Sequence, residues 1–268
     1  MRKKFGQNFL INPKTRQALV DALESQTGET GEEVWEIGPG LGAMTALLLE
    51  KGFTVRAFEI DPGFIRVLKR IFGENKNFNL VEGDVMKTWK KAWDDQKAPP
   101  YLLGNLPYNI AASLLADLIE KGCLFKRIVV TVQKEVALRM AAAAGSPDYS
   151  SFSVLCASAY KVKPLMLIRP SSFYPQPKVD SMGVLLKNRD AGVYPLIYYP
   201  LVRSLFASRR KTIRNNLTVF MSSRFGKSSP DALAAVFHET GLSGMERAEE
   251  LTPEVFLSIA KSIENMRI

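Results

Sequence analysis

Through its first two thirds this chain alternates short apolar β-type runs with amphipathic helical stretches, the order that builds a doubly wound, mostly parallel α/β sheet. The β-type runs fall at residues 34–37, 54–58, 78–81, 101–103 and 128–132, each bounded by Gly, Pro, Asn or a charge. Between them, residues 43–51 carry an apolar stripe through Leu47 and Leu48, residues 62–72 open with a proline in the first helical turn, and residues 111–120 repeat the pattern. Each βαβ unit is complete.

Beyond Pro147 the order changes. Residues 150–160 read as a helix, and residues 162–168 and 179–187 as two strands joined by a proline-rich turn, an antiparallel pair placed to close the sheet. From about residue 190 only helical segments remain, at 198–222, 230–239 and 253–266. The expected architecture is a Rossmann-like α/β sheet over residues 1–188 followed by a small all-helical domain over residues 189–268, with the boundary between Lys187 and Gly192.

A chain of 268 residues that is 46% hydrophobic can bury such a core without covalent staples. Cys123 and Cys156 lie in apolar surroundings without metal-ligand spacing, so neither a disulfide framework nor a metal site is expected. The basic N-terminus runs into Gly, Gln and Asn instead of the apolar run of an export signal. No stretch approaches the roughly 18 to 20 apolar residues of a spanning helix. The expectation is a soluble, cytoplasmic protein with no membrane partner, and nothing points to an obligate oligomer. With 36 Lys and Arg against 27 Asp and Glu, the net charge of +9 implies an anionic partner such as a phosphate backbone.

The segment Glu36-Ile37-Gly38-Pro39-Gly40-Leu41-Gly42 follows the first β run directly and opens a helix. Glycines there permit backbone angles and close approaches that a Cβ forbids, so a ligand can lie against the strand's carboxyl edge, where open α/β sheets bind cofactors. Glu59, within Phe58-Glu59-Ile60-Asp61 at the end of the second run, is placed to accept ribose hydroxyls. Asp84, within Glu82-Gly83-Asp84-Val85 after the third, is placed to accept an adenine amino group. The spacing G-x-G-x-x-G of dinucleotide enzymes is missing from both Gly38 and Gly40, which favours methyl transfer from S-adenosylmethionine over hydride transfer. The single histidine, His238, lies in the helical tail, so a histidine base or triad is not expected.

The fourth run ends in Gly104-Asn105-Leu106-Pro107-Tyr108. Asn-Leu-Pro-Tyr resembles the signature of enzymes that methylate exocyclic amino groups of bases. That resemblance implies that the Asn105 side-chain oxygen and the Leu106 carbonyl accept the two hydrogens of adenine N6, and that Tyr108 stacks on the base. Together with Phe5-Gly6-Gln7-Asn8-Phe9-Leu10, the glycine loop and Phe173-Tyr174-Pro175-Gln176-Pro177-Lys178-Val179-Asp180-Ser181, the motif is similar to those of the ribosomal RNA adenine N6,N6-dimethyltransferases, from Phe5 to about Leu217.

The likeness is to the branch that dimethylates two adjacent adenosines near the 3′ end of small-subunit RNA, and it carries an expected role in subunit biogenesis. It implies cofactor contacts from Gln7, Asn8, Leu10, Glu36, Gly38, Gly40, Glu59, Ile60, Asp84, Val85 and Asn105, and a reaction centre of Asn105, Leu106, Pro107 and Tyr108 with Phe173 stacking on the base opposite Tyr108. The implied partner is ribosomal RNA within an immature small subunit. The alternatives are the sister branch that methylates large-subunit RNA, a DNA adenine methylase, which more often carries Asp-Pro-Pro-Tyr or Asn-Pro-Pro-Tyr, and a catalytically idle assembly factor, which would have lost Asn105 or Glu59. In the helical domain, residues 198–222 read as one helix with Val202, Phe206, Ile213 and Leu217 on an apolar face. Beside that face Arg203, Arg210 and Arg214 form a basic flank, and with Arg209 and Lys211 they make up the candidate RNA surface.

Overall fold

The computed structural model describes residues 8–23, 31–94, 101–190, 192, 194–226 and 230–266. The chain divides into two compact units: residues up to Ala137 with Tyr160–Asn188, and Leu138–Ala159 with the residues from Arg189 onward.

The first unit begins with a two-residue strand β1 (Phe9–Leu10) and helix α1 (Pro13–Asp21), whose start is fixed by Asn12 accepting from Thr15 N at 3.0 Å and by proline in the first turn. There follow β2 (Glu33–Ile37), α2 (Ala43–Glu50), β3 (Thr54–Glu59), α3 (Pro62–Phe72), β4 (Phe78–Glu82), α4 (Val85–Asp94), β5 (Tyr101–Asn105), α5 (Ala111–Glu120), β6 (Arg127–Gln133) and α6 (Lys134–Ala141). After α7 (Ser151–Ala159) come β7 (Tyr160–Ile168), β8 (Phe173–Tyr174) and β9 (Ser181–Asn188).

Seven strands form one sheet in the order β4-β3-β2-β5-β6-β9-β7, with β9 and β7 antiparallel to their neighbours. The strand order reverses between β2 and β5, which opens a crevice at their carboxyl ends. Both faces are buried, and for that reason the parallel strands read as continuous apolar runs instead of alternating ones. Val34, Val55, Leu103 and Val129 pack with Leu19 of α1, Leu48 of α2 and Leu68 of α3 on one face. Trp35, one residue on from Val34, points the other way and meets Phe58 at 4.8 Å, Phe125 at 5.5 Å and Trp93 of α4 at 6.3 Å. On the outer strand β7 the register slips between Pro164 and Met166, the place where a residue without an N–H is tolerated.

The second unit is helical: α7 with α8 (Tyr198–Phe206), α9 (Ile213–Phe225), α10 (Pro230–Thr240) and α11 (Pro253–Asn265). Two expectations are corrected here. The chain is not cut once near 188, because Leu138–Ala159 cluster with the helical unit. Val154 of α7 sits in that unit's core, and the Tyr149 hydroxyl donates to Leu251 O at 2.8 Å. Nor is 198–222 one helix: residues 207–212 form a turn between α8 and α9. Among the described residues no helix is long and apolar enough to cross a membrane.

Candidate active site

A cavity of about 230 Å³ opens at the strand-order reversal, walled by the loops that leave β2, β3, β4 and β5. Gly38, at φ 71°, lies under it, and a Cβ built there would project into open space. Gly40, at φ 59°, is closed from above by the Phe9 ring, which would stand 3.0 Å from an added Cβ. Glycine at these two positions therefore keeps a cradle shallow enough for a ligand to rest on backbone.

Glu59 ends β3 and is 4% exposed. Its Oε1 accepts from Ile60 N at 2.9 Å and Asp61 N at 2.8 Å, and its Oε2 accepts from Gly40 N at 3.1 Å. Burial pushes its pKa up and the three backbone N–H groups oppose this without cancelling it. A carboxylate offers about four lone-pair sites, so Oε2 keeps capacity for a hydroxyl donor. Asp84 follows β4 and accepts from Met86 N through Oδ1 at 3.0 Å, capping α4 and leaving Oδ2 for a further donor. Ile60 and Val85 supply apolar wall between the two acids.

Asn105 closes β5. Its amide Nδ2 donates to Asn8 O at 2.7 Å, a bond that fixes which way the amide faces and leaves Oδ1 as an acceptor at the cavity with no donor among the described residues. Leu106 donates its N–H to Thr131 O at 3.1 Å, holding the Asn-Leu-Pro-Tyr turn on the neighbouring strand. Pro107 O then accepts from Ile110 N and Ala111 N, both at 3.1 Å, and launches α5. The Tyr108 hydroxyl shares a 2.6 Å hydrogen bond with the buried Ser181 hydroxyl at the head of β9. Burial raises the phenol's pKa against the pull of that bond, so it stays protonated near neutrality.

Most of the expected site residues meet here: Asn8, Gly38, Gly40, Glu59, Ile60, Asp84, Val85 and the Asn105-to-Tyr108 turn all line the cavity. Gln7 lies outside the described residues. Leu10 lines an adjoining cavity instead.

Two expected site residues, Glu36 and Phe173, are not among the described residues that line the cavity. Glu36 is wholly buried beneath the glycine loop, where Thr45 Oγ1 donates to its Oε2 at 2.6 Å and Oε1 has no partner among the described residues. Burial pushes its pKa up to about 7. Phe173 is 1% exposed and belongs to the sheet core, not to the cavity wall. It pairs with Leu10, and its neighbour Tyr174 with Phe9, in the β1–β8 ribbon, so alternation turns Phe173 inward and leaves Tyr174 62% exposed. Through that pairing Phe173 lies against the N-terminal strand β1. Ser181 and Phe9 are functional neighbours that the sequence reading passed over as parts of longer motifs.

In the helical unit, Arg203 lies on α8, while Arg209, Arg210 and Lys211 occupy the turn. Arg209 pairs with Glu249 at 2.9 Å. Arg214, on α9, donates to Ser243 O at 3.0 Å and lies 4.7 Å from the Phe237 ring centroid. Arg210 and Lys211 are exposed at the turn's tip.

A mostly parallel sheet whose ligand crevice pairs a glycine cradle with carboxylates after two successive strands is the framework of the S-adenosylmethionine-dependent methyltransferases. Within that class, the family model described as ribosomal RNA adenine dimethylase matches residues 1–265, and the chain belongs to that family.

Among curated relatives, "Ribosomal RNA small subunit methyltransferase A" of Treponema denticola is 47% identical over 99% of this chain and 90% of its own length. The protein of the same name from Treponema pallidum is 42% identical over 98% and 91%. Among solved structures, a dimethyladenosine transferase from Plasmodium falciparum superposes with a TM-score of 0.79 at 26% identity, covering 97% of this chain and 98% of that one. The 23S rRNA methyltransferase ErmE shares the fold, with a TM-score of 0.65 at 22% identity over 96% and 100%.

Proposed function

We propose that the protein transfers methyl groups from S-adenosylmethionine to the exocyclic N6 of two adjacent adenosines near the 3′ end of small-subunit ribosomal RNA, giving N6,N6-dimethyladenosine at both. The observation that carries this reading is the Asn105 amide held by Asn8 O at 2.7 Å, which presents Oδ1 as an acceptor beside the glycine cradle. The names of the relatives that match nearly the whole chain support the choice of RNA.

The cradle fits the cofactor: Glu59 Oε2 is open to a ribose hydroxyl, Asp84 Oδ2 to an adenine amino group, and Ile60 and Val85 give the ring an apolar slot. Bound there, S-adenosylmethionine supplies an electrophilic methyl group on a sulfonium. The protein's task is to make a poor nucleophile usable, since the N6 lone pair is delocalised into the purine ring. Asn105 Oδ1 and the Leu106 carbonyl accept the two N6 hydrogens, which draws the nitrogen toward a pyramidal geometry with its lone pair free. Tyr108, steadied by Ser181, offers a ring face to a base drawn out of its helix, a contact on the order of 1–3 kcal/mol. The methylated nitrogen carries a transient positive charge and loses its proton to water, so no general base is required. Holding donor and acceptor in line accounts for most of the rate.

Exposed Arg210 and Lys211 supply phosphate contacts, and the particle recognised is an immature small subunit, on which the protein works as a monomer in the cytoplasm. The test is incubation with radiolabelled S-adenosylmethionine and unmethylated small subunits, with large subunits in parallel, followed by nucleoside analysis. Dimethyladenosine from the small subunit alone is the expected result. Label in the large subunit, or none in either, would overturn it.

A further inference from the structure

A second cavity of about 200 Å³ adjoins the first, sharing Phe9, Gly38 and Asn105 with it and extending past Leu41 to Arg16 of α1. Among the described residues its wall is apolar except at Asn105 and Arg16, and none of those that line it is a carboxylate. Arg16 is half-buried, and its Nε is buried without a hydrogen-bond partner. One terminal nitrogen reaches Ile11 O at a long 3.4 Å, and among the described residues no carboxylate pairs with it. The first turn of α2 faces the same space through Ala43 and Met44, and its N-cap, Gly42, brings no side-chain acceptor. A planar cation with unused donors in an apolar recess next to a reaction centre is a receptor for an oxyanion.

We propose that Arg16 forms an oxyanion subsite that takes the α-carboxylate of the amino-acid end of S-adenosylmethionine. The inference rests on the cofactor placement given above. With the ribose at Glu59 and the adenine at Asp84, the nucleoside fills one end of the first cavity. The methyl group must meet Asn105, so the amino-acid chain continues past Asn105 and Gly38, the residues through which the two cavities join. Beyond that point Arg16 is the one charged side chain among the described residues of the wall. A phosphodiester of the RNA is the other oxyanion with the chemistry to fit.

The test compares dissociation constants, by calorimetry, for S-adenosylmethionine and its decarboxylated analogue on the wild-type protein and on Arg16→Gln and Arg16→Lys. Melting temperatures are checked for equality first. The wild type is expected to prefer the carboxylate-bearing form by roughly tenfold or more, the scale of one charge-assisted hydrogen bond. Arg16→Gln should weaken that form by a similar factor while moving the decarboxylated one by less than about twofold, and Arg16→Lys should recover part of the loss.

Small-subunit RNA binding is followed across salt in parallel. Unchanged cofactor affinity with a salt slope reduced by about 0.7–0.9 assigns the oxyanion to the RNA backbone instead. Unchanged cofactor affinity together with an unchanged slope overturns the subsite. A wild type that binds neither cofactor form would overturn the methyltransferase reading itself, whereas equal binding of both forms by all three proteins removes only the role of Arg16.

Discussion

At the scale of single residues, Asn105 and Glu36 show how differently two polar side chains are used. Asn105 spends its donor on Asn8 O and keeps its acceptor for the substrate. Asn105→Ala should lower kcat on the order of 10²-fold or more, as removal of a polar group aimed at the reacting atom does. Cofactor affinity, resting on Glu59 and Asp84, should fall only a few-fold through release of Asn8. Single-turnover rates beside calorimetric binding check this, and unimpaired turnover would remove Asn105 from the reaction centre.

Among the described residues the Glu36 carboxyl hydrogen-bonds to Thr45 alone, and it holds a proton up to about pH 7 because it is buried. The unfolded chain gives up that proton near the ordinary carboxylate value of 4.5, so between about pH 4.5 and 7 the native state binds more protons than the unfolded one. Stability therefore falls as pH rises through that window. Glu36→Gln keeps an acceptor for Thr45 and cannot ionise, so relative to wild type it should gain up to about 3 kcal/mol by pH 8 and little at pH 4.5. Urea midpoints at the two pH values test this, and parallel curves for the two proteins would mean that Glu36 titrates normally.

At the scale of elements, legibility followed locality. The parallel strands were readable because a doubly covered sheet writes itself as apolar runs, and the ends of β3, β4 and β5 carried Glu59, Asp84 and Asn105 where the fold requires ligands. The break between α8 and α9 was not readable: residues 207–212 contain no Gly or Pro, and the helical period runs on through them. Distant partners make the break. Asn216 Nδ2 donates to Leu205 O at 3.0 Å and Ser208 O at 3.2 Å, so carbonyls freed at the end of α8 are satisfied from across the turn, and Ile213 N at the start of α9 donates to Glu246 O at 2.8 Å. The inward turn of Phe173 was not readable for a related reason, since a two-residue strand is too short to show its alternation.

The break changes the expected RNA surface from a helix flank to a loop tip. Replacing Arg210 and Lys211 together with Gln should cut the salt slope of RNA binding by roughly 1.5 and leave the melting temperature unchanged. Arg209→Gln breaks the pair with Glu249 and should cost up to about 1 kcal/mol of stability. Binding isotherms across a salt series decide it, and an intact slope for the double variant would put the RNA surface elsewhere.

At the scale of the whole molecule, the sheet unit and the helical unit are held by hydrophobic clusters made of different residues. Leu10, Met44, Leu68 and Phe173 belong to the core of the sheet unit, so the strand and helices that wall the cavity are braced by the same cluster that holds the sheet together. Tyr198, Leu217, Phe237 and Phe256 belong to the core of the helical unit. Every described residue that lines the cavity belongs to the sheet unit.

Cofactor at a hundred times its dissociation constant should stabilise the state that binds it by about 2.7 kcal/mol. Amide hydrogen exchange should locate that gain: slower exchange at Gly38 to Gly42, at Ile60 to Gly63 and in the first turn of α4, with the sheet following and α8 to α11 changed least. Slowing spread evenly over both units would show that they unfold as one cooperative body, and the helical unit would then be part of the cofactor's energetics as well as a candidate surface for RNA.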